Sequence, residues 1–211
     1  MPSDRWREAN ADKIRAYRRE WYACNAEAAK EQVIARRRSL IAWLREYKSA
    51  RRCEWCGYDG HPSALSFHHK DATQKELNLS VAVRHGWSFE RLHAEIAKCE
   101  LVCANCHERY HCQQNRSRRQ QTSQSRQRRR EYALQEWFDS VKAQYDCLFC
   151  GQSDPDCLHF HHRNPVDKVK AVANMVQDGW GQQAILDEIA KCDVLCANCH
   201  LALHQSDDGE S

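Results

Sequence analysis

Hydrophobic positions along this 211-residue chain come in short stretches between long polar tracts, and the stretches occur twice. Residues alternate from Ala64 to His69 around Phe67, and again from Cys157 to His162 around Phe160. Two-residue alternation is the period of a short strand, here ending at a pair of histidines. A helical pattern follows: Leu79 to His85, a Gly86-Trp87 turn, then Ser88 as cap for a segment from Phe89 to Lys98 with Phe89, Leu92 and Ile96 on one face. Leu101-Val102 and Val194-Leu195 suit a second short strand, and Ala104 and Ala197 open a final helix. The order strand, helical insert, strand, helix predicts a small, mainly helical α+β unit present in tandem. Segments 39–48 and 131–143, with Leu40, Trp43 and Leu44 at helical spacing in the first, read as matched leading helices whose apolar residues are core. Residues 3 to about 50 read as helical, in segments opened by Asn10 and Asn25 as N-caps. The tract from Gln113 to Arg130 has no apolar residue and reads as a flexible linker.

The duplication reaches beyond the apolar pattern. Lys75, Gly86-Trp87 and Glu95-Ile96-Ala97-Lys98-Cys99 match Lys168, Gly179-Trp180 and Glu188-Ile189-Ala190-Lys191-Cys192 at a constant offset of 93 residues. Two copies are too few for a solenoid. The chain is therefore divided into a basic helical arm (1–50), a first copy (51–112), the linker (113–130), a second copy with its leading helix (131–205) and an acidic tail (206–211). Units of this size bury little apolar surface and rely on metals or disulfides.

Charge separates the parts. Residues 1–52 carry 14 Lys or Arg against 7 Asp or Glu, and the linker carries 7 against none. Arg15, Arg18, Arg19, Arg36, Arg37 and Arg38 of the arm, with Arg118, Arg119, Arg128, Arg129 and Arg130 of the linker, are candidates to hold nucleic-acid phosphate. No apolar run approaches the roughly 18 residues needed to cross a membrane, and the N-terminus lacks the apolar stretch of a signal peptide. No membrane partner and a cytoplasmic, reducing setting are expected, in which paired CxxC motifs point to zinc.

Cys53, Cys56, Cys103 and Cys106 form two such pairs, and Cys147, Cys150, Cys196 and Cys199 repeat them. Each set can surround one tetrahedral ion, so two structural zinc ions are expected. The remaining thiols, Cys24, Cys99, Cys112, Cys157 and Cys192, read as buried or inert. His107 and His111 stand four apart on the final helix, as do His200 and His204. Both imidazoles of a pair then project from one face toward the strand that carries His68-His69 or His161-His162. Three imidazoles from a strand and a helix can hold a divalent ion with positions left open for water and phosphate. The second histidine of each strand pair turns to the opposite face, or to solvent if the strand ends there, and is available as a base.

The pattern CxxC, Phe-His-His, a lysine, then CxxCHxxxH resembles the HNH nucleases. That resemblance implies ββα-metal folds with one catalytic divalent metal per site (Mg, Mn, Zn or Ni). It implies that His68, His107 and His111, and in the second copy His161, His200 and His204, are its ligands, with His69 and His162 as general bases. His111 and His204 are alternatively phosphate contacts, and Lys75 and Lys168 add one. Hydrolysis of phosphodiester bonds in double-stranded DNA is the implied activity, and two sites on one chain would let a monomer act as an internal dimer. The family's middle Asn has no counterpart in the pattern: Asn78 matches Ala171, Asn105 and Asn198 lie between cysteines, and Asp71 matches Asn164. A zinc-stabilised DNA-binding module without cleavage is the alternative.

Overall fold

The computed structural model describes residues 4–121 and 125–207. Helix α1 (Asp4–Ala9) leads into α2 (Ala11–Ser49), a single 39-residue helix. Asn10 stands at the break between α1 and α2, where a helix start is expected, whereas Asn25 lies inside α2 and does not interrupt it. Asn10 Nδ2 donates to the carbonyl of Trp6 at 2.9 Å and Asn25 Nδ2 to that of Trp21 at 2.8 Å, each four residues back. The side chains thus bond along the helix, and flanking Ala, Glu, Lys and Arg favour its continuation.

The first copy then runs β1 (Leu65–His69), α3 (Leu79–Arg84), α4 (Phe89–Ile96), β2 (Cys99–Cys103) and α5 (Ala104–Gln121). After α6 (Arg126–Lys142) the second runs β3 (Leu158–His162), α7 (Val172–Gln177), α8 (Gln182–Ile189), β4 (Cys192–Cys196) and α9 (Ala197–Asp207). Each copy is therefore an antiparallel hairpin with a two-helix insert, followed by a helix, and the whole is mainly helical α+β. Short 3-10 turns, Pro62–Ala64 and Pro155–Cys157, precede the first strands. The expected linker is helical on both sides: residues 113–121 continue α5, and Ser125 caps α6 by accepting from the Arg128 amide at 3.3 Å. Gln and Arg are good helix formers, and Arg116 is fixed by Asp156, at 2.7 Å, and Asp139, at 3.5 Å. The side chain of Arg119 and most of the acidic tail lie outside the described residues.

By its internal contacts the chain forms two compact bodies, Met1–Leu44 with Glu76–Glu95, and Arg45–Lys75 with Ile96–Ser211. In the first, Leu40, Leu79, Ala82, Val83 and Leu92 are buried. Trp43 meets Phe89 and His93 edge-on at 5.5 and 4.8 Å between ring centres. The second body holds both hairpins and their final helices. Its largest core joins Phe138 and Val141 of α6 to Val172, Met175 and Val176 of α7 and Ile185 and Ile189 of α8, so the leading helix of the second copy does contribute core. Smaller cores lie under each hairpin, around Leu65, Leu101 and Val102, and around Leu158 and Leu195. No helix among the described residues is long and apolar enough to cross a membrane.

Candidate functional site

Each copy begins with a tight turn that brings two sulfurs toward a common point. The Gly57 amide donates to the Cys53 carbonyl at 2.9 Å, and the Gly151 amide to that of Cys147 at the same distance. Both glycines lie at positive φ, +76° and +69°, where a side chain would be strained. The Glu54 amide donates to the Leu101 carbonyl and the Leu148 amide to that of Val194, tying each turn to the second strand. That strand ends at Cys103 or Cys196, and the helix beginning one residue later carries Cys106 or Cys199 in its first turn.

Four Sγ atoms thereby converge in each copy, all within 4.8 Å of one another. The Cys56–Cys103 and Cys150–Cys196 sulfurs are 3.6 Å apart. This is far beyond the roughly 2.05 Å of a disulfide and close to the edge of about 3.8 Å for a tetrahedron with Zn–S near 2.3 Å. Burial works against ionising Cys53, but the amides of Cys103, Cys56 and Trp55 outweigh it and bring the thiol down to about 7; Cys147 is held at about 7 in the same way. Burial, with the neighbouring sulfurs, pushes the thiols of Cys56, Cys106, Cys150 and Cys199 the other way, so it is the convergence and spacing of the four sulfurs that fit a structural zinc ion in each copy. Of the remaining cysteines, Cys99, Cys157 and Cys192 are buried and Cys112 is half-buried, whereas Cys24 is exposed on α2.

The same helices carry the histidines. His68 on β1 meets His107 and His111 of α5, with ring centres 5.3 and 5.7 Å away. His161 on β3 meets His200 and His204 of α9, both at 5.1 Å. Ring nitrogens of His107 and His111 are 3.1 Å apart, those of His161 and His200 3.1 Å, and those of His200 and His204 3.2 Å. Nitrogens bound to one ion at about 2.0–2.1 Å would be separated by roughly 3.0–3.4 Å. The donor sets therefore fit a divalent ion in each copy. Burial, then the neighbouring imidazoles, bring His107 and His200 down to about 4, so both rings are neutral at physiological pH. Neutral imidazole is the ligand form. The charge of Lys75 adds to the effect at His107.

His162 is buried and does not face solvent. Its Nε2 lies 2.7 Å from Oε1 of Glu188 on α8. Glu188 also accepts from Lys191 Nζ at 2.6 Å and from the Val169 amide at 2.8 Å. Burial alone would raise its carboxyl, but these bonds hold it down to about 2. A cavity of about 510 Å³ is bordered by His161, His162, His200, His204 and Lys168 together. The basic residues Arg15, Arg18, Arg19, Arg36, Arg37, Arg38, Arg118, Arg128, Arg129 and Arg130 are all exposed.

No protein-family model, curated protein or solved structure matches this chain.

Several residues at the site escaped the sequence reading. His159 borders the same cavity, 5.6 Å from His200 between ring centres, where the first copy has Ser66. Its position two before His161 on the strand was the available signal. Trp55 and Tyr110 flank the first triad: Tyr110 is 4.7 Å and Trp55 5.1 Å from His68 between ring centres, and Trp55 Nε1 donates to Glu100 at 2.8 Å. Asp71 and Asn164, unequal in sequence, make the same bond, accepting from the Thr73 and Val166 amides to cap equivalent turns.

Proposed function

We propose that the chain is a metal-dependent endonuclease of duplex DNA, with His68, His107 and His111 holding one catalytic divalent ion and His161, His200 and His204 another. The observation that carries this reading is the grouping of an imidazole triad with a carboxylate-bound histidine and a lysine around one cavity in the second copy. An ion bound there would supply positive charge to the phosphate and the leaving oxygen. The protein's own groups would do the rest. Glu188 is acceptor-only when ionised, so His162 donates from Nε2 and keeps Nδ1 as the acceptor for a proton from attacking water. Glu188 thus orients the base, as a carboxylate does in other His-dependent hydrolases. Lys168 would neutralise phosphate at the second cavity and Lys75 at the first triad. His69 takes the role of the base in the first copy. The exposed arginines of α2 and α6 would hold the duplex by its phosphates without reading sequence.

Purified chain incubated with supercoiled plasmid should convert it to nicked or linear forms with Mg²⁺, Mn²⁺, Zn²⁺ or Ni²⁺, and chelator should stop the conversion. Intact plasmid under every metal, with a gel shift that persists in chelator, would replace the enzyme by a zinc-stabilised DNA-binding module.

A further inference from the structure

The two copies are joined through the helices that carry the histidines, and the junction is reciprocal. The Asn105 amide donates to Oδ1 of Asn198 at 3.0 Å, and the Asn198 amide donates to Oδ1 of Asn105 at 3.1 Å. Both residues are buried in the first turns of α5 and α9, where backbone amides have no partner within their own helix. Each helix is therefore capped by the other copy. The same exchange occurs in packing: α5 lies on the 3-10 turn that opens the second copy, and α9 on the turn that opens the first. Ser63 Oγ donates to the Leu201 carbonyl at 3.1 Å on one side, and Arg109 Nε donates to Asp154 at 2.6 Å on the other. Contacts of i with j and of j with i are the mark of a two-fold, isologous interface. Here the interface lies within one chain. It also crosses into the chemistry, because Glu108 and Cys112 of the first copy's helix border the cavity of the second triad.

Since Asn105 and Asn198 stand two residues before His107 and His200 on the same helices, the junction fixes the two histidine pairs in one body. A substrate matched to such a body presents two equivalent phosphodiesters related by a two-fold axis, as the antiparallel strands of duplex DNA do.

We infer that the chain is a built-in dimer whose two histidine triads each take one strand of the same duplex, so that one molecule makes a double-strand break in a single encounter. This rests on the endonuclease reading. The test uses the full chain at limiting concentration on supercoiled plasmid, beside the variants His68→Ala and His161→Ala, each checked for retention of two zinc ions. His111→Ala and His204→Ala, at exposed positions, replace any variant that loses its zinc. The intact chain should give linear DNA at a rate first order in protein. Each variant should stop at the nicked form, and linear product should fall at least tenfold in both. Linear product from a single-triad variant, a rate rising with the square of protein concentration, or nicking alone by the intact chain would overturn the built-in dimer while leaving an endonuclease. Absence of any cleavage would overturn the endonuclease reading itself.

Discussion

At the scale of single residues, the pairing of His162 with Glu188 is the most informative contact in the second copy. A buried carboxylate holding a histidine, two backbone amides and a lysine has two separable effects. It fixes which imidazole nitrogen carries the proton, and it satisfies donors that would otherwise be buried without a partner. Glu188→Gln keeps the shape but loses the charge, so second-site cleavage should fall by about 10²-fold, measured as plasmid nicking in a His68→Ala background. Glu188→Ala leaves the donors unpaired and should destabilise the fold by roughly 2–5 kcal/mol in denaturant unfolding with zinc present. The carboxyl titrates near 2 in the folded chain, below the ordinary value of 4.5. Its stabilising effect is thus fully present above pH 4.5 and is lost as pH falls toward 2. The stability difference between the intact chain and Glu188→Gln should accordingly shrink as pH is lowered through that window; a difference that stays constant would remove the charge from the explanation.

At the scale of elements, each copy works because a cysteine cluster sets the start of a helix, and the helix start sets where its histidines point. Cys103→Ser should therefore cost both the zinc of the first copy and the approach of His107 to His68, seen as loss of one zinc per chain and of first-site nicking. Asn105→Ala leaves the Asn198 amide buried without its partner and should cost about 1–3 kcal/mol, measured by denaturant unfolding at constant zinc. These elements differ in how far they could be read from sequence. The CxxC pairs, the strands at Phe67 and Phe160 and the helices of the insert are patterns within a few residues of one another, and all appear where the spacing put them. Asn10 falls at the start of α2 as its residue type suggests, but Asn25, of the same type, bonds four residues back along a continuing helix. The tract from Gln113 is polar enough for a loop, but Arg116 reaches Asp156, 40 residues further on, and helix follows. The reciprocal bonds of Asn105 and Asn198, and the grip of Glu188 on His162, join residues 93 and 26 positions apart, which no local pattern reveals.

At the scale of the whole molecule, each copy pairs a four-cysteine cluster with a histidine triad, and α2 and α6 carry exposed arginines. If those arginines hold phosphate, replacing Arg36, Arg37 and Arg38 with Gln should weaken duplex binding and lower the slope of log affinity against log salt by about 3, with zinc content unchanged; an unchanged slope would take the arm out of the interface. The proposed chemistry needs ions of two kinds on this chain, at thiolate clusters for the fold and at imidazole triads for hydrolysis. Metal content of the purified chain tests it most directly, measured by mass spectrometry after loading with Zn²⁺ or Mn²⁺ and again after brief dialysis against chelator. Four ions per loaded chain, two resisting the chelator and two removed by it, with one exchangeable ion lost in His161→Ala, is the expected result. Two ions per chain under every condition, unchanged by His161→Ala, would contradict it and leave the histidine triads without a metal.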